Sequence, residues 1–204
     1  MKFIEAMNFR HACRLFDSTK KIDEETKKLI IEFGRLSPSS TGLEPWHFVV
    51  ISDEKLRERM KPACANQMQI TSSCFVVVYL SFLPWHFERE SEFLNQRIGR
   101  RHFDSEKHKA VIENAISYLI DKDASEWTRR QTYIPLANMM TGAASLGVDS
   151  CPMEGFNPKL LKEVLDFYID FKKYDIAVLC AFGYRKQESS KKIRESLESI
   201  ATFI

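Results

Sequence analysis

A chain of 204 residues that is 44% hydrophobic and 28% charged has enough apolar material for one globular domain with its own core, without a metal or disulfide staple. Its 30 basic and 28 acidic residues leave a net charge of +2, which argues against a molecule-wide field for nucleic acid or an anionic membrane; any anion site must be local. The five cysteines are odd in number and lack CxxC spacing, and the longest apolar run, residues 74–80, is far too short for a membrane span.

Residues 1–16 carry charges too closely spaced for a signal-peptide core, and with these cysteines the expected compartment is a reducing cytoplasm. Asp23 opens a predicted helix, with Glu24 and Glu25 in its first turn and Leu29, Ile30, Phe33 and Leu36 at helical spacing. It ends in the loop SPSSTGLEPW, and residues 47–51 (HFVVI) form a strand. Asp53 caps another helix, and residues 74–82 are a second, buried strand. Residues 86–122 are highly charged and read as peripheral helices. A long helix over 126–146 ends at Gly147, with Pro135 expected to kink or break it and small residues in its second half that let another backbone approach. The stretch DSCPMEGFNP then reads as a loop, Pro158 opens a helix, and residues 174–184 are a third strand. In the tail, SIATFI has apolar residues on both alternating faces and reads as a strand buried on both sides. The order argues for an α+β domain with a small mixed or antiparallel sheet wrapped by helices, without GxGxxG or GxxxxGK.

Four clusters can carry chemistry. In Arg10-His11-Ala12-Cys13-Arg14, two guanidiniums and an imidazole can grip a phosphate and the polar edge of a ring, or form a solvated basic turn. The loop from Pro38 through Ser39 and Ser40 to Trp46 combines rigid prolines, hydroxyl donors and Gly42, and can wrap a ligand or merely connect a helix to a strand. In Asp149-Ser150-Cys151-Pro152-Met153-Glu154-Gly155-Phe156, Gly155 lets backbone approach a flat ring and present an N–H, or simply makes a tight turn before the Pro158 helix. Lys192 and Arg194 face one side of an extended tail, as a phosphate clamp or as plain solvated charge. Nothing in the sequence marks a metal site.

Taken in order, RHACRLFD, PSSTGLEPWHFVV, Asn66, EW with a following Gln, LGVDSCPMEGFNP and a C-terminal KIR resemble the FMN-dependent NAD(P)H nitroreductases from about Arg10 to the C-terminus, weakly only across residues 84–122. HACRLFDS is also similar to a branch that activates nitroimidazole prodrugs. The resemblance implies a nitroreductase-like fold over residues 1–204, with residues 184–204 as an arm reaching the partner subunit of a homodimer. It implies FMN as cofactor and NADH or NADPH as co-substrate, and ping-pong hydride transfer to nitroaromatics, quinones or flavins. The alternatives are a flavin reductase, another flavin-fold enzyme such as a dehalogenase or a flavin-consuming enzyme, or a non-enzymatic flavin-binding protein.

Residue by residue, the resemblance places Arg10, Lys192 and Arg194 on the FMN phosphate, with His11 and Ala12 along the ribityl chain. Arg14 meets the pyrimidine edge, and Asn66 and Gln69 also lie at the flavin edge. Pro38, Ser39 and Ser40 come from the second subunit. Pro152, Met153, Glu154 and Gly155 line one ring face, with a backbone N–H near N5. No acid–base triad is implied, because the cofactor carries the hydride. The resemblance departs at three places: many relatives have Asn near position 42 where Gly42 stands, several have Lys where Gln69 stands, and Ser is commoner where Ala12 stands, so Arg14 is the expected cation at that edge. Cys13 either tunes the flavin site or is a packed thiol.

Overall fold

The computed structural model describes residues 1–101, 103–119 and 122–204. A four-stranded antiparallel sheet forms its centre, in the order β1 (Trp46–Ile51), β2 (Phe75–Phe82), β4 (Tyr174–Gly183), β3 (Asp149–Met153). Central β2 is buried on both faces along its whole length, which explains its unbroken apolar run. Phe75, Val77 and Tyr79 point into one core, and Val76, Val78 and Leu80 into the other. The β2–β4 register slips between Tyr79 and Leu80, which pair with Val178 and Ile176 and leave Ala177 as a bulge.

The first core is closed by α2 (Glu24–Arg35) and α7 (Ala124–Ser145), through Ile30, Leu136, Met139 and Ala143. These helices touch closely because each carries a glycine at the contact. A Cβ on Gly142 would sit 2.1 Å from the Phe33 ring, and one on Gly34 would sit 2.0 Å from Met139. The second core lies under α3 (Glu54–Met60), α4 (Gln69–Ser72) and α8 (Pro158–Leu165). A third cluster, around Leu94, Ile98, Ile112 and Trp127, packs α5 (Glu92–Gly99) and α6 (Ser105–Leu119) against one end of the sheet. Charged residues 86–122 are indeed mostly helical, although the described part stops at Leu119 and resumes at Lys122.

Helix starts follow the caps. The Asp23 carboxylate accepts from Thr26 N, Asp53 from Leu56 N, and Asn157 from Leu160 N just before Pro158. The long helix begins at Ala124, capped by Asp123, slightly earlier than the sequence suggests. It also continues unbroken through Pro135: the ring removes one backbone donor, but the packing on the sheet keeps the helix in place. Gly147 follows it at φ +75°, the left-handed conformation that a helix terminus favours.

Two expectations are corrected. The segment DSCPM is not a loop; it is β3, paired residue for residue with β4 from Asp149↔Gly183 to Met153↔Leu179. Pro152 hid it, because proline breaks a central ladder, but β3 is a sheet edge where the missing N–H costs nothing. The tail SIATFI is not a buried strand within the chain. Leu197–Ile200 make one helical turn, α9, capped by Ser196, and Ile200, Phe203 and Ile204 are exposed. Residues 3–9, for which the sequence offered no signal, form α1 (Phe3–Phe9), which lies on α7. No described helix is long and apolar enough to cross a membrane.

Candidate active site

The N-terminal segment after α1 is stitched to the β3 edge. Ala12 bridges Ser150 in parallel, Cys13 N donates to Ser150 O at 3.0 Å, and Asp17 N donates to Tyr184 O at 2.8 Å. The chain leaving β4 folds back on the same segment, with Lys186 N bonded to Leu15 O. The two ends of the chain thereby form the walls of one cleft of about 610 Å³, lined by residues 8, 10–12 and 189–194.

Arg10, His11, Ala12, Lys192 and Arg194 all line it. The Lys192 ammonium donates to the Met7 carbonyl at 2.7 Å and to the Arg10 carbonyl. An ammonium has three N–H donors, so one remains for a ligand. Partial burial, then the nearby charges of Arg10 and Arg194, push the Lys192 pKa below the ordinary lysine value. Among the described residues, no carboxylate lies within ion-pair distance of Arg10, Lys192 or Arg194. Like charges gathered without a counter-charge give this cleft a local positive field in a nearly neutral protein, the electrostatics that suit an anion.

Two residues anchor this cleft: Asp149, which heads the third cluster read from the sequence, and Arg185, which the sequence did not single out. Asp149 is 3% exposed, and its carboxylate takes the Arg185 guanidinium from Nε at 3.0 Å and Nη2 at 2.6 Å, and also the Arg185 backbone N–H. His11 Nδ1 lies 3.5 Å from the same carboxylate but makes no hydrogen bond among the described residues, so this buried nitrogen has no partner. The signal available in the sequence was the acidic residue heading the supposed loop, which gave no hint of its distant partner.

A second group surrounds the turn after β3. Gln69, at the start of α4 and 6% exposed, donates to Gln67 Oε1 at 2.5 Å, and Gln67 Nε2 donates to Gly155 O at 2.8 Å. Asn66 is exposed on the same loop in the left-handed region at φ 55°, where asparagine is among the better-tolerated residues. Arg57 secures the far end of α4 by donating to the Ile70, Thr71 and Ser73 carbonyls. Met153 is buried, Pro152 half-buried, and Glu154 and Gly155 exposed. Tyr133 of α7 donates to Glu154 Oε1 at 2.5 Å, and burial together with that carboxylate pushes its pKa up to about 12. Among the described residues no acceptor takes the Glu154 or Gly155 backbone N–H. Arg14 is exposed, and its charge reaches Cys151.

Pro38, Ser39 and Ser40 do not line the cleft. They belong to a rigid loop in which Ser39 Oγ accepts from Glu44 N and Ser40 N donates to Gln131 Oε1 of α7, both at 2.8 Å. Gly42 takes φ +65° there, as the turn requires. Cys13 is a packed thiol, 3% exposed, whose pKa burial and the Asp149 charge push up to about 11. Such a thiol stays protonated and unreactive at neutral pH.

The model of the family described as "Nitroreductase family" matches residues 7–184. A protein of Staphylococcus haemolyticus, provisionally named an NAD(P)H nitroreductase, is 40% identical over 213 residues, covering 98% of this chain and 96% of its own. The chain belongs to the nitroreductase family. A second relative, from Haemophilus influenzae and under the same provisional name, is 36% identical with the same coverage. Among solved structures, a nitroreductase-like protein from Streptococcus mutans superposes with a TM-score of 0.86 at 20% identity, covering 99% of this chain and 98% of that one. A provisionally named nitroreductase from Exiguobacterium sibiricum, solved in complex with FMN, superposes at 0.82 with 21% identity, covering 100% and 98%. The sheet of this nitroreductase therefore has the fold of its relatives, and its two-ended cationic cleft sits at the β3 edge of that sheet.

Proposed function

We propose that this nitroreductase-family chain is an FMN-dependent oxidoreductase that moves hydride from NADH or NADPH to nitroaromatics, quinones or free flavins, working as a homodimer. The observation that carries the reading is the cleft where Arg10, Lys192 and Arg194 converge without a carboxylate. FMN fits it chemically. Its phosphate supplies the missing negative charge, and each charge-assisted hydrogen bond contributes roughly 1.5–3 kcal/mol net. The unpartnered His11 nitrogen and the free N–H groups of Glu154 and Gly155 suit a polar chain and a ring bearing acceptors.

In this reading Arg10, Lys192 and Arg194 hold the phosphate, and His11 and Ala12 follow the ribityl chain. Arg14, Asn66 and Gln69 meet the polar ring edge, and Pro152, Met153, Glu154 and Gly155 support one face. Arg14 places positive charge where negative charge accumulates on reduction. Gln67 and Tyr133 hold the 154–155 turn through the Gly155 carbonyl and the Glu154 carboxylate, leaving its N–H groups free for the ligand. Bound FMN supplies hydride acceptance and donation, so both substrates use one site in turn. Pro38, Ser39 and Ser40 of the partner subunit cover the ring, and residues 184–204 reach across to the partner. One bond within the loop, Glu44 N to Ser39 Oγ, and one to α7, Ser40 N to Gln131, hold it for that task.

Anaerobic addition of NADH or NADPH to the FMN-loaded protein is the direct test. The flavin absorbance should bleach and return when a nitroaromatic is added. A bound flavin that never bleaches makes the protein a flavin carrier and rejects the enzymatic reading.

A further inference from the structure

Arg185 hydrogen-bonds to both walls of the cationic cleft while its own charge is spent elsewhere. Its Nη2 donates to Phe9 O, the residue before Arg10, at 3.3 Å, and its Nη1 donates to Ser189 Oγ, three residues before Lys192, at 3.1 Å. Its Nε and the second Nη2 N–H engage Asp149, whose side chain is 2% exposed, and the guanidinium plane covers the Phe9 ring at 4.1 Å. One planar cation is thus pinned by a carboxylate at the head of β3 and holds the N-terminal and C-terminal walls at a fixed spacing. Only a guanidinium has donors enough, in a rigid plane, to serve three segments at once.

We propose that Arg185, oriented by Asp149, is a positioning residue that sets the distance between Arg10 and Lys192 and so makes this a site for a phosphorylated flavin rather than for flavin in general. Its full ion pair with Asp149 means that it adds little net charge for a ligand; it acts through the residues it places. The proposal rests on the FMN reading. It adds a prediction that the reading alone does not contain: Arg185 governs the preference for FMN over riboflavin, which has the same ring and ribityl chain but no phosphate.

The test is binding of FMN and of riboflavin to the full-length apo-protein, followed by quenching of flavin fluorescence, for wild type, Arg185→Lys and Asp149→Asn. Arg185→Lys keeps the positive charge and loses the fork. FMN affinity should fall by about tenfold or more while riboflavin affinity stays within about twofold, because only the phosphate feels the spacing of the walls. Asp149→Asn, which keeps the size of the side chain but releases the guanidinium, should show the same selective loss. If both ligands weaken equally in both variants, the pair is merely structural and the proposal fails. It fails equally if FMN binds both variants as it binds wild type. A wild-type protein that binds riboflavin as tightly as FMN overturns the phosphate grip itself, and one that binds neither overturns the cofactor reading; these outcomes differ from a variant-specific failure.

Discussion

At the scale of single residues, the site depends on cations held in place by backbone carbonyls rather than by carboxylates. Lys192 gives two of its three N–H groups to the Met7 and Arg10 carbonyls, which orients the ammonium without cancelling its charge. Arg10→Ala should therefore weaken FMN binding by roughly tenfold or more while circular dichroism and the unfolding midpoint stay close to wild type, as expected for loss of one charge-assisted contact. A pH dependence follows from the same cluster. Burial and the charges of Arg10 and Arg194 disfavour protonated Lys192 in the fold, so it loses its proton at a lower pH than in the unfolded chain. Between that lowered value and the ordinary 10.5, the unfolded chain binds more protons, and the contribution of Lys192 to apo-protein stability rises with pH. A bound phosphate has the opposite preference, favouring the charged amine. FMN affinity should fall with rising pH across that window, and Lys192→Arg, which stays charged, should lose less. Equal alkaline losses in the two proteins would remove Lys192 from the phosphate site.

At the scale of elements, the helix pair α2–α7 determines how closely the sheet is covered on the face opposite α3 and α8. Gly142→Ala puts a methyl group into the Phe33 ring and should destabilise the fold by about 1–3 kcal/mol in chemical denaturation. A midpoint unchanged from wild type would mean that the ring moves aside freely. Elements whose signals are local were legible in the sequence: Asp23, Asp53 and Pro158 mark helix starts by capping chemistry, and residues 75–82 read as a strand because both faces are buried. What was not legible depends on distant neighbours. β3 contains a proline that only a sheet edge tolerates, and the sequence cannot say which strand lies at the edge. The Asp149–Arg185 pair joins residues 36 apart, and neither has a distinctive local pattern. The basic pairs at each end were visible as candidates, but their convergence needed the stitching of residues 12–17 to β3 and to the chain leaving β4.

At the scale of the whole molecule, the exposed apolar side chains concentrate at the chain ends: Phe3 and Ile4 in α1, and Ile193, Leu197, Ile200 and Phe203 in the tail. Apolar side chains left exposed in this number suit an association surface, and so suit the proposed homodimer with its C-terminal arm laid on the partner. Deleting residues 190–204 should therefore give a monomer by light scattering and, with Lys192 and Arg194 gone, a protein that does not retain FMN. A truncated protein that stays dimeric would show that the arm is not what joins the subunits. The account as a whole depends on one property of the intact chain, retention of a phosphorylated flavin by cations drawn from its two ends. Equilibrium dialysis of the purified full-length protein against FMN at moderate salt measures this directly. The expected result is saturation at one FMN per chain; a protein that stays colourless against excess FMN would contradict it.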